Sequence, residues 1–147
     1  RVTCFSLLET DPAGYPFLVY KNMENKIKSV IYCRVSSKEQ EETGYSLPAQ
    51  EKFLREYSEN ERNNFSVAKV FSVSESAGGK QIRKSFLEML QYSNSHKVSI
   101  ILCEKIDRLT RNLKDASIID DWVKEDPKRE VHFVKETFIL IIKSHYM

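Results

Sequence analysis

Apolar positions along the chain come in short bursts that switch between two periods. SVIYCRV, Ser29 to Val35, is apolar almost without a break, as a strand covered on both faces requires. A helical segment opens near Ser46 and tolerates Pro48 in its first turn. It sets Leu47, Leu54 and Tyr57, with Phe53 beside them, on one face. A strand is predicted around Val67 to Val73, then a glycine-containing loop at Ala77-Gly78-Gly79 and a helix with Phe86, Leu87 and Leu90 on one side. VSIILC, Val98 to Cys103, reads as a central strand. A further helix carries Ile118, Ile119, Trp122 and Val123 and stops at Asp126-Pro127, where the residue before proline disfavours helix. VHFV, Val131 to Val134, is the last strand of this reading.

Strands that alternate with helical patterns predict an α/β domain with a largely parallel central sheet and helices on both faces. In such sheets ligands sit beyond the carboxyl ends of the strands. That rule singles out the loops after Val35, Val73 and Cys103. The first 22 residues, with Pro12, Gly14 and Pro16, show neither period, whereas Met23 opens a polar lead into the first strand. The expected division is therefore 1–22 as an upstream or tag-like extension, 23–137 as the folded domain and 138–147 as a truncated tail. A short ordered arm that packs against a partner is the alternative for 1–22.

With 147 residues and 41% hydrophobic content the chain has apolar material for one core. Its formal net charge of +2 permits an anionic partner without demanding one. Cys4, Cys33 and Cys103 are too scattered for a disulfide framework or a zinc site, and no secretory signal is present, so a reducing, cytoplasmic setting is expected. The run FILII, Phe138 to Ile142, is far too short to cross a bilayer, and no membrane partner is expected.

At the end of the first strand, Arg34 and Ser36 stand two apart and share one side of the strand edge. After the central strand comes EKIDRLTRN, where Arg108 and Arg111 share a face if the segment turns helically. Arg83 follows the glycine loop. Arginine suits a phosphate because its planar fork donates two parallel hydrogen bonds and stays charged at any relevant pH. Several arginines around a serine suggest phosphoryl transfer, in which positioned cations stabilise charge on the non-bridging oxygens. Taken singly, these residues have plainer roles. Ser36 with Glu39, or Ser37 with Gln40, fits a capping box; Asp107, Arg108 and Arg111 fit a solvated helix start; the glycines fit a turn.

Order and spacing tip the balance. YCRVSS resembles the Y-x-R-V-S motif of the serine recombinases, the family of resolvases, invertases and large serine integrases. EETGYSLPAQ is similar to the G-Y-S-L-x-x-Q stretch of the large serine subgroup, and IDRLTRN to the D-R-L-x-R-N motif. The resemblance spans Lys28 to Glu136. It implies a resolvase-like catalytic domain that cuts and rejoins DNA through a 5'-phosphoserine intermediate, with no metal, cofactor or small-molecule substrate. Ser36 matches the nucleophile. Arg34, Arg108 and Arg111 match the arginines on the scissile phosphate, and Arg83 a further active-site arginine. Asp107 matches the acid that orients them, and Gln40, Gln50 and Tyr32 match positions on the substrate-binding side. DNA is the implied partner, together with self-association or a full-length recombinase.

The chain departs from the family at two places. Ala77-Gly78 stands where many small resolvases have Ser-Gly, and after Glu136 the sequence TFILIIKSHYM replaces the long helix that builds the family's interfaces. The second departure allows a different reading, a non-catalytic remnant that pairs with or regulates a full-length recombinase. A phosphoacceptor switch domain shares the α/β pattern, but its acidic site would have to be Asp107, which lies among arginines.

Overall fold

A computed structural model describes residues 6–10, 12–13, 16–20, 26–36, 46–60, 62–75, 78–136 and 138–141, with the backbone only for 6–10, 16–20 and 138–141. In chain order the elements are β1 (Ser6–Thr10), β2 (Pro16–Tyr20), β3 (Ile27–Val35), α1 (Leu47–Glu59), β4 (Phe65–Ser74), α2 (Gly78–Ser95), β5 (Ile100–Cys103), α3 (Ile106–Leu109), α4 (Leu113–Lys124), β6 (Glu130–Phe133) and β7 (Phe138–Ile141). The main sheet runs β4-β3-β5-β6-β7. Its first four strands are parallel and β7 is antiparallel to β6. The chain leaves β3 outward to β4, then crosses back to β5. That reversal puts a topological switch between the carboxyl ends of β3 and β5, where the two connections part and leave a crevice.

Alternation along β3 divides its side chains between two cores. Ile31 and Cys33 pack with Leu54 of α1, Phe65, Ile100 and Leu102 on one face. Val30 and Tyr32 pack with Phe86 and Met89 of α2 and with Ile119 and Trp122 of α4 on the other. Helices therefore cover both faces, as the pattern of strands and helices predicts. Leu54 is fully buried, and its truncation to alanine would cost roughly 2–5 kcal/mol.

The starts of α1, α2 and α4 each have a local cause. The Ser46 side chain accepts from the Ala49 amide and Pro48 sits in the first turn of α1. Asn112 caps α4 by accepting from the Asp115 amide at 2.9 Å. Gly78 opens α2 with φ of +82°, a conformation glycine adopts without a Cβ penalty, so the Gly78-Gly79 pair begins a helix instead of forming an open loop.

Three expectations are corrected. Residues 1–22 are not free of regular structure: β1 and β2 pair antiparallel with Ser6 opposite Tyr20 and Thr10 opposite Pro16. Five-residue strands are too short to display a period, and Pro16 takes the first position of its strand, where proline is tolerated. Val131 to Val134 does not hold the last strand, because β7 continues the sheet with Phe138 opposite Phe133. Finally, α3 ends at Leu109, so Arg108 and Arg111 do not share a helical face.

Candidate active site at the switch point

Arg34 is the penultimate residue of β3 and is only 6% exposed. Its Nε donates to the carbonyl of Arg108 at 3.1 Å, one Nη donates to the carbonyl of Asp107, and the other pairs with the Glu75 carboxylate just past β4. A single guanidinium thus ties together the ends of β3 and β4 and the segment after β5. Its main chain is held as well. Gln50 of α1, fully buried, accepts from the Arg34 amide at 3.0 Å and donates to the Arg34 carbonyl at 3.3 Å. The amide side chain takes the place of a neighbouring strand where β3 runs beyond its pairing with β5.

Ser36 follows β3 directly and is partly buried. By strand alternation it continues the side that carries Tyr32 and Arg34. The main-chain carbonyl of Arg108 meets Arg34 in that bridge; the Arg108 side chain is 11% exposed, with Nε 3.8 Å from the Asp107 carboxylate, which is itself well exposed. Gln40 and Ser37 lie outside the described residues, as do Glu39 and Ala77.

Arg83 and Arg111 form a second cluster beside the first. Arg83 pairs with Asp115 of α4, and the main-chain amide of Arg111 donates to the other oxygen of the same carboxylate at 3.4 Å. A cavity of about 170 Å³ opens between the starts of α2 and α4, lined by Tyr32, Gly79, Arg83, Phe86, Arg111 and Asp115 among others. Tyr32 forms its floor. Burial pushes the Tyr32 hydroxyl up to about 12, so it stays protonated. Neither Tyr32 nor Gln50 presents exposed surface to a ligand: the first is 1% exposed and the second 0%.

Reading the sequence did not single out Glu75 or Asp115. Asp115 lies three residues after Asn112, a spacing that signals only a helix cap, and Glu75 is an acid at a strand end with no pattern around it. Both are chosen by arginines distant in sequence. Among the described residues no group of three or more His, Cys, Asp or Glu side chains is placed to hold a metal ion, and no helix is long and apolar enough to cross a membrane.

The model of the resolvase N-terminal domain matches residues 29–144, from the third residue of β3 past the end of β7. The chain belongs to that family. The fold is shared with serine recombinase catalytic domains of known structure. The N-terminal catalytic domain of TP901-1 integrase superposes with a TM-score of 0.62 at 24% identity, covering 76% of this chain and 81% of that one. A resolvase family site-specific recombinase from Streptococcus pneumoniae gives 0.58 at 27% identity, over 78% and 76%. The C-terminal catalytic domain of ISC1926 TnpA, an IS607-like serine recombinase, gives 0.57 at 28% identity, over 74% and 70%. No curated protein matches the chain significantly. The resolvase match begins at Ser29 and so leaves the β1-β2 hairpin outside it.

Proposed function

We propose that this resolvase-family domain cuts and rejoins DNA strands by transesterification at Ser36. The Ser36 Oγ attacks phosphorus, a serine-phosphate bond forms to the 5' side, and the bond to the 3' oxygen breaks. The serine proton leaves to a base, and the departing 3' oxygen gains a proton and becomes a hydroxyl. Rejoining runs the same exchange backward from a 3' hydroxyl, so the bond energy stays in the phosphoserine link.

The supporting observation is the Arg34 bridge, which brings the segment ending in Ser36 against the segment carrying Asp107 and Arg108. Arg34 spends its fork on the protein and so acts as the brace of the nucleophile's strand end. Arg83 and Arg111 line the adjoining cavity and are the cations for the non-bridging oxygens. The exposed Asp107 carboxylate beside Arg108 is suited to proton transfer. DNA is the substrate of this reading, and the G-Y-S-L-x-x-Q stretch at Gly44 to Gln50 favours the large serine subgroup. Self-association, with 1–22 as an extension outside the resolvase match, belongs to the same proposal.

Incubation with a nicked duplex that traps the covalent intermediate tests it. Wild type forms a protein-DNA adduct and Ser36→Ala forms none while its folding stays intact; a loss of about 1 kcal/mol of stability with adduct formation unaffected would make Ser36 a helix cap instead. An adduct that persists in Ser36→Ala would reassign the nucleophile to Ser37. No adduct with wild type under any trapping condition would reject the reading.

A further inference from the structure

Asp115 sits in the first turn of α4 with its side chain 7% exposed. Its two carboxylate oxygens serve different elements. One pairs with Arg83 of α2, and the other accepts from the main-chain amide of Arg111 at 3.4 Å. Arg83 is held from a second direction, since its guanidinium carbon lies 5.7 Å from the centre of the Phe86 ring. Arg111 is seated against Gly79, where an added Cβ would meet its Nη1 at 3.5 Å. Both arginines line the same cavity.

Two guanidinium groups facing one small cavity repel each other before any anion arrives. The buried Asp115 carboxylate, paired with the Arg83 guanidinium, offsets that repulsion and leaves one formal positive charge, which a single phosphodiester would neutralise. Helix capping accounts for the amide of Asp115 meeting Asn112 and for its carboxylate reaching back to the Arg111 amide, but not for the ion pair with Arg83 of α2, 32 residues away.

We propose that Asp115 is a positioning residue for phosphate, tying Arg83 on α2 to the main chain of Arg111 so that both guanidinium groups address one phosphodiester. The proposal rests on the phosphoryl-transfer reading above and deepens it. Its signature separates geometry from charge. Removing a negative charge beside the phosphate strengthens DNA binding if Coulomb attraction is all that matters. If Asp115 sets geometry, the chemical step slows even though binding is kept.

The test uses the full chain with ¹⁵N-labelled arginine. In wild type the Arg83 guanidinium signals are protected from solvent exchange and resolved, and inorganic phosphate shifts the Arg83 and Arg111 signals together. In Asp115→Asn the Arg83 protection is lost. On nicked duplex the adduct rate falls about 100-fold, with duplex affinity unchanged or tighter. Asn112→Ala, which removes the cap and spares the carboxylate, lowers the melting temperature but leaves the Arg83 protection as in wild type.

An Asp115→Asn protein that is folded, keeps the Arg83 protection and forms adduct at the wild-type rate would overturn the proposal. Unprotected Arg83 signals in wild type would overturn it too, whether or not the variant folds. If wild type forms no adduct yet Arg83 protection depends on Asp115, the recombinase reading fails and the tie between the two arginines stands.

Discussion

The Nε of Arg34 lies 3.1 Å from the carbonyl oxygen of Arg108, 74 residues away in sequence. With Asp107 and Glu75 accepting from the other nitrogens, this buried fork is the joint at which three strand ends meet. Lysine at position 34 would keep the charge but cannot reach three acceptors with the geometry of a planar fork. Arg34→Lys is expected to lose roughly 2 kcal/mol of stability, chiefly because two carbonyls lose their partner, the half-buried Glu75 carboxylate being partly open to solvent. Urea denaturation measures it, and a loss near zero would mean that the bridge does not hold the strand ends.

Gln50 is the second support of the same strand end. Gln50→Leu preserves volume but strips the Arg34 amide and carbonyl of their partner, both in a site closed to water. The expected cost is roughly 2–4 kcal/mol. Gln50→Glu leaves the amide's acceptor and removes the donor to the carbonyl, so its cost should be distinct from that of leucine. Melting curves of the two variants check this, and a Gln50→Leu protein as stable as wild type would refute it.

Alkaline pH should unfold the domain through its buried acids. Burial raises the Cys33 thiol from 9.0 to about 12 and the Tyr32 hydroxyl from 10.0 to about 12, and it also drives Cys103 upward. Each folded-state value lies above the unfolded one, so the folded chain holds these protons more tightly. Their contribution is therefore fully present below about pH 9 and declines as the pH rises from there toward 12. Equilibrium unfolding between pH 7 and 11 should show that decline. In the same window, iodoacetamide should spare Cys33 and Cys103 in the native protein, since the reactive thiolate is suppressed in both.

DNA affinity should be modest and strongly dependent on salt. Arginines at a phosphate release counterions, so the logarithm of the binding constant falls linearly with the logarithm of salt concentration. Arg111→Ala should reduce the magnitude of that slope by about 1 without changing preference between sequences. Fluorescence anisotropy with a labelled random duplex over a salt series measures both quantities. Nanomolar affinity at physiological salt, or a slope that ignores Arg111, would contradict the expectation.

The arrangement of strands and helices was legible from local pattern. A nine-residue β3 covered on both faces must be rich in apolar residues, and the Pro48 and Ser46 signals act within one turn of the helix they start. The three loops of interest followed from the rule for parallel sheets, and the arginine and serine motifs lie in or beside them. Where local pattern was thin it misled. The five-residue β1 and β2 and the four-residue β7 draw their order from pairing with another strand, which no short window displays.

By itself the sequence determined the α/β layering, the approximate places of the long elements and a candidate set of residues suited to phosphate. Those properties depend on side-chain type and spacing within a few residues. Only the tertiary structure decided how that set divides. Arg108 joins Arg34 while Arg111 joins Arg83, because α3 stops after one turn and the chain swings toward Asp115. The same is true of Glu75, Asp115 and Gln50, whose partners lie 41, 32 and 16 residues away. A buried carboxylate or amide is assigned its role by whichever donor the fold delivers to it, and that delivery is a property of the packed sheet.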